Sequence, residues 1–177
     1  MKNNIFLLIL IPILFFSCES EIPMGPQDFQ SPTPYTFVPN AATKLQDTIY
    51  VPIYSDIYDK TVSSKSLLTA TLSVRNTSMR DSIFIYGVDY YDTKGELVRN
   101  YLEQILLLEP LQTAEFIVEE ADNSGGTGAN FIVEWGANRS NLKPIFQGVM
   151  VLKSGQHALS FLTNGISISE KPLKSAD

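Results

Sequence analysis

One cysteine, one histidine and one tryptophan are all that 177 residues contain of those three types. A single cysteine rules out an intramolecular disulfide, so the fold has to rest on its apolar core. The lone histidine, His157 in KSGQHALS, together with that cysteine, falls short of the ligand set a zinc site requires. Basic residues are also scarce. Lys and Arg number 13 against 19 Asp and Glu, a formal net charge of −6, and they form no cluster. Such a chain is poorly suited to a phosphate backbone, and no nucleic-acid partner is expected. No repeat of fixed period is present. The longest apolar run, residues 5–16, has 12 residues and contains Pro12. A membrane-spanning helix needs roughly 18 or more.

The cysteine follows that run after a single serine. Lys2, the apolar stretch, Ser17 and Cys18 give a positive start, a short greasy segment and a small residue at a cleavage point. The arrangement resembles a bacterial lipoprotein signal. It implies a signal peptide over residues 1–17, with Ser17 before the cut and Cys18 as the acylation site. Phe15 and Phe16 stand where leucine and a smaller residue are commoner. The following ESEIPMGPQ is polar and offers no core to bury a thiol. The expected location is the bacterial cell envelope, periplasmic or surface-facing, with the membrane as partner through the N-terminal lipid. An acidic chain gains nothing from anionic lipid, so attachment would rest on acyl chains. Each buried CH₂ contributes about 0.8 kcal/mol.

Residues 18–46 read as a lipidated cysteine and a Pro-rich tether. Pro23, Pro26, Pro32, Pro34 and Pro39 are half of the ten prolines. Each fixes φ and removes a donor, which argues against helix or central strand. Phe29, Tyr35, Phe37 and Val38 give part of this stretch the means to lie against a domain. The domain is expected over residues 47–169 and a short tail over 170–177.

Within the domain the pattern is β. In LLTATLSVRN, Leu68, Ala70, Leu72 and Val74 share one face, the period-two signature of a half-buried strand. In SIFIYGVDYYD, Ile83 and Ile85 are followed by Val88 and Tyr90, so the phase slips at Tyr86-Gly87. A β-bulge produces such a slip. DTKG predicts a hairpin turn, with Asp92 bonding its own backbone and Gly95 taking φ > 0. ELVRNYL is the expected return strand, although LVRNYLEQILLLE as a whole suits either helix or strand. PLQTAEFIVEE puts Ala114, Phe116 and Val118 together. NFIVEW does the same for Phe131, Val133 and Trp135. IFQGVMVLK and ALSFLTN complete the set, and YVPIYS opens it, with Pro52 arguing for an edge. The expected fold is all-β: a two-sheet antiparallel sandwich, immunoglobulin-like, of seven to nine strands.

The catalytic inventory is thin. Ser154 and Ser160 lie near His157, but no nucleophile-elbow pattern surrounds either. The ordinary reading of His157 is a loop or strand-end residue. Asp89, Asp92 and Glu96 gather around DYYDTKGE, and Glu119, Glu120 and Asp122 lead into SGGTGAN. No EF-hand spacing occurs, so solvated turn acids are the better reading and no metal is assigned. SGGTGAN lacks the Lys and the helix of a phosphate-binding loop. Gly125, Gly126 and Gly128 are expected to let the backbone turn with φ > 0. Tyr50, Tyr54 and Tyr58 recur every four residues, and Tyr90 and Tyr91 precede the hairpin. Tyrosines suit both sandwich packing and a binding face.

Taken in order, YVPIYSDIY, LSVRNTS, VDYYDTKGELVRNYL, EPLQTAEF and GGTGANFIVEW resemble the bacterial domain of unknown function 3124. The resemblance runs over residues 50–165. Its most specific pieces are Tyr90-Tyr91-Asp92-Thr93 with Gly95, and Gly125 through Phe131 with Trp135. It implies a small exported or lipid-anchored bacterial protein and carries no established activity, so it supplies no catalytic residue. RNTS…IFIYGVDYYDTKGELV is also similar to the strand–turn–strand of immunoglobulin-like envelope domains.

The expected function is a cell-envelope lipoprotein whose sandwich binds an envelope protein or a glycan. The candidate surface comprises Tyr90, Tyr91 and Asp92 with Gly125, Gly126, Gly128 and Asn130. No catalytic residue and no cofactor are assigned. A carboxylate- or metal-assisted envelope hydrolase is the rival, favoured by two acids facing across a cleft. A structural envelope component assembled through sheet edges is a third reading, favoured by an unprotected flat edge strand.

Overall fold

The computed structural model describes residues 35–155 and 157–169. The leader, Cys18, the first part of the tether and the tail lie outside the described residues. The strands, in chain order, are β1 (Thr36–Val38), β2 (Leu45–Pro52), β3 (Asp56–Tyr58), β4 (Lys65–Leu67), β5 (Thr69–Arg75), β6 (Ile83–Tyr91) and β7 (Leu97–Asn100). Then follow β8 (Ile105–Leu108), β9 (Thr113–Val118), β10 (Asn130–Ala137), β11 (Ile145–Ser154), β12 (His157–Asn164) and β13 (Ile166–Ser167). The chain is an all-β sandwich, and every pairing is antiparallel. One sheet runs β1-β8-β6-β10-β2-β13, with β7 also on β6; the other runs β12-β11-β5-β9, and β3-β4 is a separate hairpin.

Alternation accounts for the core. Leu68, just ahead of β5, and Ala70, Leu72 and Val74 of β5 share one core with Phe131, Val133, Trp135, Val51 and Ile85 of the other sheet. Removing such side chains from water is what stabilises a chain without disulfides, at about 1.5–3 kcal/mol per fully buried large residue. Aromatic contacts knit the core: Tyr90 meets Phe131 on the neighbouring strand of the same sheet at 5.4 Å, and Tyr101, just after β7, meets Phe131 at 5.7 Å and reaches Phe116 of β9 in the other sheet at 5.7 Å.

The phase slip in β6 is a bulge. Ile85 opposes Trp135 and Gly87 opposes Glu134, which leaves Tyr86 as the extra residue. Its hydroxyl shares a 2.7 Å hydrogen bond with Thr43 Oγ1 and donates to Ala41 O at 3.3 Å. The bulge thus pins a segment that reads as tether.

Three expectations are revised and one open alternative is decided. Sheet begins at Thr36, because β1 pairs with β8 and β2 opens at Leu45, both ahead of residue 47. Pro52 closes an interior strand: β2 lies between β10 and β13, and β13 reaches only Ile49 and Tyr50, so no ladder bond is lost beyond them. LVRNYLEQILLLE makes β7 and β8 with no helix, since Asn100 Oδ1 accepts from Leu102 N at 2.9 Å and turns the chain. The strands exceed seven to nine because β1, β3, β4 and β13 are only two or three residues long, too short to leave a periodic signal.

A single buried amide organises one end. Asn76, 3% exposed, donates to Asp81 O at 2.8 Å, Leu108 O at 3.1 Å and Glu109 O at 3.0 Å, and accepts from Ser78 N at 3.0 Å. No apolar side chain satisfies those groups. Asn76→Ala is expected to lower the urea unfolding midpoint by the equivalent of about 1–3 kcal/mol with an unchanged slope. An unchanged midpoint would contradict this role.

Candidate functional site

The hairpin turn and the glycine-rich loop, more than thirty residues apart, meet at one end of the sandwich. The turn is self-supporting. Asp92 Oδ1 accepts from Lys94 N and Glu96 N, both at 2.8 Å, and Gly95 N donates to Asp92 O at 3.0 Å. Gly95 has φ +82°, a left-handed conformation that disfavours a side chain. This leaves Thr93 projecting toward the glycines. Its hydroxyl donates to Gly125 O at 2.8 Å and accepts from Gly128 N at 2.9 Å, while Thr93 N also donates to Gly125 O at 2.8 Å.

Ser55 holds the same loop from the other side. Gly126 N donates to Ser55 Oγ at 2.7 Å, and Ser55 N donates to Gly126 O at 3.1 Å. Ile53 N donates to Ala129 O at 2.9 Å. The loop therefore closes into a single 3-10 turn, Gly126–Gly128. Neither Ser55 nor the role of Thr93 was assigned from the sequence. Thr93 stands in the YYDT piece of the family resemblance, whereas Ser55, fully buried, carries no sequence signal.

The glycines divide by cause. Gly126 has φ +75°, as expected of a turn. Gly125 and Gly128 do not need positive φ; they are small because space is short. A Cβ on Gly125 would lie 1.9 Å from Tyr90 Oη, and one on Gly128 3.1 Å from Thr93 Cγ2. Gly126 is no innocent surface position either, because its Cβ would come within 2.7 Å of Thr93 Oγ1.

The candidate residues thus occupy two layers. Tyr90 is fully buried, and Gly125 and Asn130 are buried beneath the surface. Tyr91, Asp92 and Gly126 are half-buried, and Thr93, Lys94, Gly95, Glu96 and Gly128 are exposed. Burial pushes the Tyr90 phenol up, and the neighbouring hydroxyls of Ser55 and Ser124 pull the other way. Neither completes a hydrogen bond with it, and among the described residues the phenol oxygen has no partner.

A charged group flanks this end. Arg99 Nη2 pairs with Asp122 Oδ2 at 2.7 Å, and Arg99 Nη1 donates to Tyr101 Oη at 2.9 Å. Burial pushes Tyr101 up to about 12 against the pull of Arg99, and its hydroxyl donates to Ile117 O at 2.8 Å. Burial also works to raise Asp122, but the Ser124 hydroxyl and amide together with Arg99 hold its carboxyl below the usual range. On the other flank Lys65 Nζ lies 3.0 Å from the Asp56 carboxylate and 5.1 Å from the Tyr58 ring centre.

The remaining candidates scatter. Tyr54 packs edge-on to Phe161 at 5.9 Å, Tyr50 is half-buried and Tyr58 is exposed, so the three form no common platform. Asp89 accepts from Asn100 Nδ2 at 2.8 Å, and Glu119 and Glu120 are exposed on a turn. His157 is exposed at the start of β12. Among the described residues no three His, Cys, Asp or Glu are placed to hold a metal ion. Nor, among them, is any helix long and apolar enough to cross a membrane.

No curated protein matches the sequence. Among solved structures, the crystal structure of Thermotoga maritima 1070 is similar at 10% identity and a TM-score of 0.38, covering 68% of this chain and 92% of that one. Residues 46–168 match the family described as "Protein of unknown function (DUF3124)", and they span the clasped loops, the bulge and both sheets. The chain belongs to that family of proteins of unknown function.

Proposed function

We propose that this is an envelope lipoprotein that works by binding, and that its binding surface is the sandwich end formed by the 92–96 turn and the 123–129 loop. One observation carries the reading: the Thr93 hydroxyl bridges Gly125 O and Gly128 N, joining two exposed loops from distant parts of the chain. Loops on a rigid scaffold are where binding residues concentrate. A pre-ordered loop pays less entropy on association than a free one. The exposed set mixes Lys94 and Glu96 with small residues, and the Arg99–Asp122 pair lies beside it. Such a surface suits an envelope protein partner. In this reading Cys18 carries the lipid that holds the domain at a membrane.

A second reading has its own support. Among the described residues β12 pairs only with β11, and its outer edge has no partner strand. Its sequence, HALSFLTN, has no Lys, Arg, Asp, Glu or Pro, and Leu159 and Leu162 are 44% and 56% exposed. Edges are usually protected by charge or proline. This edge favours a structural component that assembles strand to strand. Sedimentation of the soluble domain should then show a concentration-dependent dimer that Leu162→Lys abolishes; a monomer at all concentrations removes this reading.

For the loop surface, the charge-swapped variant Lys94→Glu with Glu96→Lys is the probe. Both side chains are exposed and take no part in the clasp. The unfolding midpoint should stay within about 2 °C of the parent. Crosslinking in intact cells should lose the neighbour that the parent captures. Retention of the same crosslinked neighbour sinks the loop surface.

The anchor is tested apart from the surface. The mature protein should carry acyl mass on Cys18 and fractionate with membranes, and Cys18→Ala should lose both. A Cys18→Ala protein that still fractionates with membranes, together with a parent lacking acyl mass, would overturn it.

A further inference from the structure

The end of the sandwich opposite the clasp, where β5 and β10 finish, is a platform of three loops, residues 76–82, 109–112 and 138–144. The loops are tied to one another. Asn76 donates to both Asp81 O and Glu109 O, and Leu111 N donates to Ser78 O at 3.1 Å. Thr77 Oγ1 donates to Lys143 O at 2.7 Å, and Arg139 Nε lies 3.4 Å from Asp81 Oδ1. A surface tied down in this way has little entropy left to lose on contact with a partner.

Two apolar side chains stand out from it. Met79 is 79% exposed and Leu111 is 64% exposed. The bond from Leu111 N to Ser78 O sets their loops side by side. Leu111 also has φ +62°, and among the described residues it is the one non-glycine with positive φ. The turn Glu109-Pro110-Leu111-Gln112, closed by Gln112 N donating to Glu109 O at 3.1 Å, demands that conformation at its third position, where glycine is preferred. This leucine carries a backbone cost and buries little within the domain in return. Strain of that kind gathers where a surface is used.

Charge is sorted along the same axis. Arg75 at the end of β5, with Arg80, Arg139 and Lys143 in the loops, stands against Asp81 and Glu109, a net +2. The other described residues hold six Lys or Arg against twelve Asp or Glu, a net −6. Composition gives this acidic chain no attraction to anionic lipid, but the fold supplies one locally. The chain also enters here. Thr36 pairs with Leu107, so Tyr35 stands level with Leu108, the last residue of β8, and its hydroxyl accepts from Glu115 N at 3.1 Å. The tether therefore joins the domain at this end.

We propose that the Met79–Leu111 end is a membrane-contacting surface for anionic lipid, with these two side chains entering the interface and Arg80 and Lys143 meeting headgroup phosphates. The clasp then points away from the bilayer. The inference takes its lipid anchor from the function proposed above.

The mature chain with Cys18→Ala, with tether and tail in place, is sedimented with vesicles of phosphatidylcholine, either alone or with about a third phosphatidylglycerol. Half should bind at about 1 mM anionic vesicle lipid, little should bind phosphatidylcholine, and the attraction should vanish at about 1 M salt. In that background Arg80→Gln with Lys143→Gln should weaken binding about thirtyfold, at about fivefold per cation. Leu111→Gly should weaken it about tenfold yet leave the thermal midpoint at or above its starting value, because glycine accepts the left-handed conformation. A loss through unfolding would lower that midpoint. Lys94→Gln, at the clasp end, should change nothing. The proposal is overturned by no binding to anionic vesicles, by full binding after Arg80→Gln with Lys143→Gln, or by an equal loss from Lys94→Gln. A crosslinked protein neighbour at Leu111 together with no vesicle binding would make the platform a protein interface instead. The variant lacks the acylation site, so the two readings fail separately: vesicle binding without acyl mass on the parent removes the anchor alone, and acyl mass without vesicle binding removes this surface alone.

Discussion

One hydroxyl, Thr93 Oγ1, supplies what a run of glycines cannot supply for itself. Gly125, Gly126 and Gly128 have no side chains with which to satisfy or stiffen their own backbone. Buried peptide groups must nevertheless find partners. Thr93 takes Gly125 O and Gly128 N from one side, and Ser55 takes Gly126 N from the other. Glycine at these positions therefore reflects close approach as much as freedom: Gly125 backs onto the Tyr90 phenol, and Gly128 onto the Thr93 methyl. The result is a glycine-rich loop that is ordered, and ordered directly above the aromatic centre of the core.

That coupling gives the sandwich two distinct ends. β10 runs between them like a beam, with β6 and β2 on either side. At one end Asn130 leads out of the clasped loop; at the other Trp135 turns into the core against Phe146 at 5.9 Å. The bulge at Tyr86 matters to the second end as the clasp does to the first. By inserting one residue opposite Glu134 and Trp135, it turns a tyrosine toward residues 41–43 and ties the approach to β2 onto the sheet.

Much of this was readable from residue order. Period-two patterns placed Ala70, Leu72 and Val74, then Ala114, Phe116 and Val118, then Phe131, Val133 and Trp135, all on the core face. The phase slip disclosed the bulge, and Asp92 with Gly95 disclosed the hairpin. What stayed hidden depends on contacts between distant segments. Ser55 is one serine among many until Gly126, seventy-one residues on, is seen to donate to it. Pro52 in a strand argues for an edge, but the brevity of β13 lets it end an interior strand instead. β1 and β13, at three and two residues, cannot show a period. Tyr90 and Tyr91 look alike in sequence, and only the pleat decides that the first is core and the second half-exposed.

The measurement that bears most directly on the clasp is residue-resolved amide hydrogen exchange on the soluble domain. Thr93, Gly126 and Gly128 amides donate to Gly125 O, Ser55 Oγ and Thr93 Oγ1 respectively. They should exchange as slowly as amides inside β6 and β10, since opening the loop would expose the Tyr90 core beneath it. Exchange of these three amides at the rate of an unstructured peptide, with the strands still protected, would show that the glycine loop is not held and would remove the basis for a pre-ordered binding surface.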